Sequence, residues 1–251
     1  MHKLTYTVTI TTERRKSFGC IFILEVVNKM KKKYDVKMLV VLGMLSAIAY
    51  VLASLIRIPL VPAVGFLGYE PKDVILVIAG FIYGPLAPLA MATVIALVEG
   101  FTTSAMGPIG IPMNFIASVS FACTASVIYK RWRTLGGAAI GLAMSVILTT
   151  LVMLLWNYAL TPILLGFPRP VVEAMIIPGF LPFNLIKGAL NAAIIMLIYK
   201  PVRLALDKSR LLQTHGVAET KQNKISIGVM LASIFVLVTC VVVVLSWRGV
   251  I

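Results

Sequence analysis

Charge is scarce in this chain, and acidic charge scarcest. Only 13% of its 251 residues are charged, with 9 acidic against 23 basic. Cysteine is almost missing: Cys20, Cys123 and Cys240 are scattered, form no CxxC pair, and are odd in number, which excludes a disulfide framework. The two histidines, His2 and His215, fall in terminal and linker sequence, so no zinc or haem site is expected. No GxxxxGK[ST] loop is present to cradle phosphate; "GPIG" and "GGAAIG" lack the lysine. Neither HExxH nor a serine nucleophile elbow occurs. No two carboxylates share an apolar run, so an intramembrane enzyme has little to work with, and none is expected.

What fills the chain is hydrocarbon. It is 60% hydrophobic, with mean hydropathy +1.00. Charge-free runs of about nineteen residues or more read as membrane spans. They occur at Met38–Ile56, Val74–Val98, Gly100–Tyr129, Thr134–Gly166 and Ile225–Trp247, and Ala174–Tyr199 joins them if Lys187 is tolerated. The fold class expected is all-α, a polytopic membrane protein. The net charge of +14 does not imply nucleic acid, because the basic residues make no single stripe. They cluster between the apolar runs, at Lys29–Lys37, Lys130–Arg133 and Lys200–Arg210 among others, as the positive-inside rule and anionic membrane lipid require.

Parity then sets the crossings. "KMKKKYDVK" places the N-terminus in the cytoplasm, and "YKRWR" and "YKPVRLALDK" belong there too. Span 1, Lys37–Ile56, leads out, and the loop Arg57–Asp73 is external. An odd number of crossings must lie between Asp73 and Lys130, and the breaks "YGPLAP" and "TSAMGPIGIP" divide that stretch into three. These are a short span 2 at Asp73–Tyr83, span 3 at Pro85–Thr102 and span 4 at Met113–Tyr129. So short a second helix needs shelter from its neighbours. Span 5 is expected at Leu135–Leu160 and span 6 at Leu181–Tyr199.

The resulting division is a cytoplasmic extension at 1–36, a six-helix membrane domain at 37–203, a basic linker at 204–224 and an additional C-terminal helix at 225–251. Within the extension, Arg14–Lys16 and "SFGCIFILEVV" mimic a signal peptide without a cleavage motif, and Glu25 interrupts the apolar part. Met30 offers a downstream start; otherwise the segment lies on the membrane surface.

Polar groups inside these spans are few enough to read one by one. In "PGFLPFNLIKG", Pro182 suits the first turn of a helix. Asn184, Lys187 and Asn191 then fall at i, i+3 and i+7 on one face, with Lys187 about 4–5 Å deeper than Asn184. Asn157 is at the corresponding outer end of span 5. Intramembrane asparagine can bond a neighbouring helix and a terminal lysine can reach the headgroups. Asn191 is read as such inter-helix bonding, and Asn157, Asn184 and Lys187 together as a ligand site. A cation near a helix N-terminus is disfavoured by the dipole, so Glu99 or a ligand carbonyl should compensate Lys187. The first external loop is unusually apolar, and Phe66, Leu67 and Tyr69 can cover a ligand or pack on the helix ends. Asn114 opens span 4 and is a candidate contact, with helix capping as the alternative. In span 1, Gly43 and Ala47, and Ala49 and Ala53, lie at i, i+4, a spacing that lets another helix approach.

The strings "YEPKDVILVIAGFIYGPLAP", "MNFIASVSF" and "PFNLIKG" together resemble the riboflavin-specific S components, the RibU type, of energy-coupling factor (ECF) vitamin transporters. The resemblance covers about Lys37–Arg203. It implies a six-helix S-component fold in a bacterial cell membrane, holding riboflavin near the external face with the first loop and spans 4, 5 and 6. An asparagine on helix 5 and an Asn-x-x-Lys on helix 6 are the family's polar ligands, matched by Asn157, Asn184 and Lys187. A small-residue face on helix 1, matched by Ala49 and Ala53, meets the transmembrane coupling subunit. Two cytoplasmic ATPases supply the energy, in keeping with the missing phosphate loop. Riboflavin is cargo in that reading, and no cofactor is implied. The N-terminal extension and the seventh helix depart from the family pattern and inherit no role. An S component for another vitamin or flavin-related compound is the neighbouring alternative; an ion-coupled secondary transporter would have to rely on Glu99.

Overall fold

The structure, a computed structural model, describes residues 36–64, 67–102, 110–208 and 227–247. The N-terminal extension up to residue 35, Phe66 and the linker beyond residue 208 therefore lie outside the described residues. The chain divides into two compact units, Met1–Val41 and Leu42–Ile251. Of the first, only the opening turns of one helix are described; every later element belongs to the second.

Each of the expected spans forms a helix within its described residues. Helix α1 is Val36–Leu55, α2 Lys72–Tyr83, α3 Leu86–Thr102, α4 Gly110–Arg131 and α5 Leu135–Leu165. A short α6, Arg169–Met175, and a π turn over Ile176–Phe180 lead into α7, Leu181–Lys208. Helix α8 is Ile227–Trp247. Among these, five segments are long and apolar enough to cross a membrane, and α3 is a shorter apolar helix. The chain is a multi-pass membrane protein.

Local chemistry explains the boundaries. Gly84, at φ +92°, turns the chain after α2, and Pro85 prevents continuation. Thr134 caps α5 by accepting from the Gly137 N–H at 3.0 Å. Gly166, at φ +70°, ends α5 in the left-handed conformation. Helix α7 runs past residue 203, the expected end of the membrane domain; Pro201 does not stop it.

Helix α2 decides the packing. At twelve residues it is about 18 Å long, well short of a hydrocarbon core of about 30 Å. Nine of those residues are buried, and α3, α4 and α7 surround it. The expected shelter is therefore present. Close approach needs small residues: a Cβ on Gly80 would collide with Ser126 Oγ of α4. One on Gly188 of α7 would meet Val146 of α5 at 2.9 Å.

The loop expected between α1 and α2 has a structure of its own. It folds into a small antiparallel hairpin, β1 (Ile58–Pro59) with β2 (Gly68–Tyr69), pairing Ile58 with Tyr69 and Pro59 with Gly68. Its apolar residues Leu60, Val61, Val64 and Leu67 are buried in one cluster with Val172, Phe180 and Phe183. The loop is thus a packed roof over the N-terminal end of α7.

Candidate functional site

The site begins with the charges that the sequence concentrates in "YEPKD". Arg57 lies across β2, where a Cβ on Gly68 would fall 2.5 Å from its Cγ. Its guanidinium stands 3.6 Å from Glu70. Glu70 also meets Lys72 at 2.8 Å, and Lys72, at the start of α2, pairs on its other side with Glu99 of α3. Asn114 of α4 donates to the same Glu99 carboxylate at 3.4 Å. One residue further, Asp73 accepts from Ser118 Oγ at 2.6 Å and stands 3.7 Å from Lys187 Nζ of α7. Three carboxylates and three cations are thereby matched within the bundle, as buried charge requires. Asp73 also suits the first turn of its helix, where the dipole favours an anion.

In the roof, burial opposes ionisation of Glu70, but Lys72, Lys187 and Arg57 outweigh it and hold the carboxyl below its ordinary range. Burial, aided by the Asp73 carboxylate, pushes the Tyr69 phenol well above its ordinary value. Tyr69 therefore remains a neutral donor, and it donates to Asn191 Oδ1 at 3.0 Å. This bond ties the roof to α7.

Asn191, so held by the roof, is one wall of a narrow cleft between α2, α4, α5 and α7. Asp73, Thr149, Asn184, Lys187 and Asn191 supply its polar lining, with Phe121 and Val146 among its apolar walls. Asn184 uses one amide hydrogen on Phe180 O at 2.8 Å, leaving its carbonyl and second hydrogen free for other partners. Phe121 and Val146 present flat hydrocarbon, and the polar groups present a mixed set of donors and acceptors. That combination fits a ligand with an apolar face and a hydrogen-bonding edge.

Several residues lie elsewhere than the sequence suggested. Asn184 and Lys187 do share the cleft, but Asn157 is not among the residues lining it. Asn157 is buried and bonded within its own helix, donating to Met153 O at 2.7 Å and accepting from Thr161 at 3.0 Å. The counter-charge of Lys187 is Asp73, not Glu99, because Glu99 is taken by Lys72. Asn114 sits in the second turn of α4, whose described residues start at Gly110, and there its amide reaches Glu99. Leu67 and Tyr69 are buried in the roof. Ala49 and Ala53 are not on an open face: both are buried within the chain, on the side of α1 that also carries Leu42 and Ser46. Gly43 and Ala47 are among the small residues of α1 left exposed, and a Cβ on Gly43 would meet nothing within 4 Å.

The family model for the substrate-specific component of ECF transporters matches residues 37–199. The chain belongs to that family. Among similar proteins, the riboflavin transporter FmnP of Bacillus subtilis is 30% identical over 189 residues, covering 72% of this S component and 99% of its own length. The riboflavin transporter RibU of Staphylococcus aureus is 33% identical over 170 residues, covering 65% and 89% respectively. A solved structure of the S component of a bacterial ECF transporter is 33% identical, with a TM-score of 0.58, covering 68% of this chain and 97% of that one. A substrate-binding transport component, rather than an enzyme, is what this family comprises.

Sequence reasoning missed the acidic half of the S component's cleft. Asp73 served only to mark where a helix began, and Thr149 looked like any hydroxyl in an apolar span. The available signal was the density of charge in "YEPKD" immediately before a helix too short to cross on its own.

Proposed function

We propose that this S component captures riboflavin at the extracellular face of a bacterial cell membrane. Asn184 and Lys187 hold the edge of the ring, and the hairpin roof covers it. The observation that carries this reading is the convergence of Asn184 and Lys187 on one cleft whose Asn191 is bonded to Tyr69 of the apolar loop. Amides donate and accept along the carbonyl and imino edge of an isoalloxazine ring, and lysine only donates. The names of the relatives point the same way.

Delivery then rests on a transmembrane coupling subunit and two cytoplasmic ATPases, since no phosphate loop occurs in this chain. The N-terminus is cytoplasmic, which puts the basic ends of α4 and α7 on that side and the roof on the other.

Titration of the purified protein by flavin fluorescence quenching tests this. Asn184→Ala and Lys187→Ala each weaken riboflavin binding by at least about 1–3 kcal/mol, because a buried partner loses its hydrogen bond. Unchanged affinity in both variants rejects the site. Competition by flavin mononucleotide, roseoflavin, biotin and thiamine fixes the ligand class; displacement by biotin or thiamine but not by roseoflavin would reassign it.

A further inference from the structure

The cleft has a polar wall that ring recognition leaves unused. Thr149 stands midway along α5, and its Oγ1 is buried there without a hydrogen-bond partner. Its neighbour Thr150 behaves as a helical threonine ordinarily does, donating back to Val146 O at 2.7 Å. Thr149 does not, so its hydroxyl is left for something that enters the cleft. Asp73 is partnered but has accepting capacity left. One of its oxygens takes Ser118 at 2.6 Å, while the other is 3.7 Å from Lys187, too far for a direct hydrogen bond. A carboxylate only accepts, so it needs donors from the ligand.

A flavin ring edge is rich in carbonyl acceptors, which suit Asn184 and Lys187 and would be repelled by Asp73. The hydroxylated chain has the opposite character, with one O–H donor on each hydroxyl carbon. We propose that Asp73 and Thr149 receive the hydroxyls of the ligand's polyol chain while Asn184 and Lys187 take its ring. This assignment rests on the riboflavin reading above and divides the lining of the same cleft by chemistry, between groups that take acceptors and groups that take hydroxyls. It also makes Asp73 a specificity determinant, since its charge opposes a phosphate ester at the end of the chain.

The test compares riboflavin with lumiflavin, which has the same ring and a methyl group in place of the chain, by fluorescence quenching. Thr149→Val keeps the shape and removes the hydroxyl; it should weaken riboflavin about tenfold and leave lumiflavin unchanged. Thr149→Ser restores riboflavin binding. Asp73→Asn should narrow the preference for riboflavin over its 5′-phosphate. Equal loss of both flavins in Thr149→Val, or no loss of either, overturns the assignment of the chain. An unaltered riboflavin-to-phosphate ratio in Asp73→Asn overturns the role of the carboxylate. If the unmodified protein binds neither flavin, the riboflavin reading itself fails, a pattern distinct from both.

Discussion

Helices α7 and α8 pack on each other, yet they are opposites in how they use the membrane. The most apolar eighteen-residue window of Arg169–Ile198, a stretch that includes most of α7, has mean hydropathy 1.7 and 39% of it is buried. Met230–Trp247 of α8 reaches 2.6 and is only 17% buried. In water the more apolar segment would be the one inside. In lipid the order reverses, because hydrocarbon solvates leucine and valine as well as a protein core does, and only polar groups need shelter. Asn184, Lys187 and Asn191 force one face of α7 inward, toward Asp73 and Tyr69. Helix α8 has no charged side chain, and its Thr239 hydroxyl turns back to Phe235 O at 2.8 Å. Interior position in this protein follows polarity.

Lys72 is where that contrast is most open to being broken. Lys72→Met makes the bundle more apolar while leaving Glu70 and Glu99 buried without their shared cation. It should destabilise the protein by about 3–5 kcal/mol, seen as a lower thermal midpoint in detergent. A variant as stable as the parent would mean that the ion network is dispensable and that apolar packing alone orders the bundle. Tyr69→Phe is a gentler cut. It removes the donor to Asn191 and should lower stability by about 0.5–1.5 kcal/mol. Asn191→Leu added to it should cost less than the two changes summed, since both remove the same bond. Strict additivity would show that the roof and α7 are held by other contacts.

The helices were legible in the sequence because each depends on a single chain property, an apolar run bounded by glycine, proline or charge. Gly84–Pro85, Thr134 and Gly166 mark their ends by local chemistry alone. The short α2 and its need for neighbours followed from length against bilayer thickness. Which polar groups meet was legible only where they share a helix, as Asn184 and Lys187 do. Asp73 and Lys187 are separated by more than a hundred residues, and their pairing depends on α2 lying against α7. Spacing in the sequence holds no trace of that. The same limit holds in α1: two small-residue pairs have the same i, i+4 signature, yet Ala49 and Ala53 are buried while Gly43 and Ala47 are exposed. Asn157 was grouped with the cleft by depth; its bonds to a carbonyl four residues back and to the Thr161 hydroxyl, within its own helix, are contacts that depth does not show.

The smallest effect expected is from removing α8 altogether. Its loss uncovers part of α7, including Leu190 and Ile194, which lie in the cluster with Val244 and Cys240. In water that exposure would be costly. In a bilayer the uncovered leucine and isoleucine meet lipid chains of similar character, so only packing contacts are lost. None of the polar groups of the cleft comes from α8. A chain ending before Ile227 should therefore bind riboflavin within about twofold of the full protein, with a modestly lower thermal midpoint. Loss of binding in a truncated protein that still inserts would place α8 in the structure of the site. Apolar packing would then be shaping the cleft from outside, and polarity alone would no longer explain why α7 lies within the bundle and α8 at its edge.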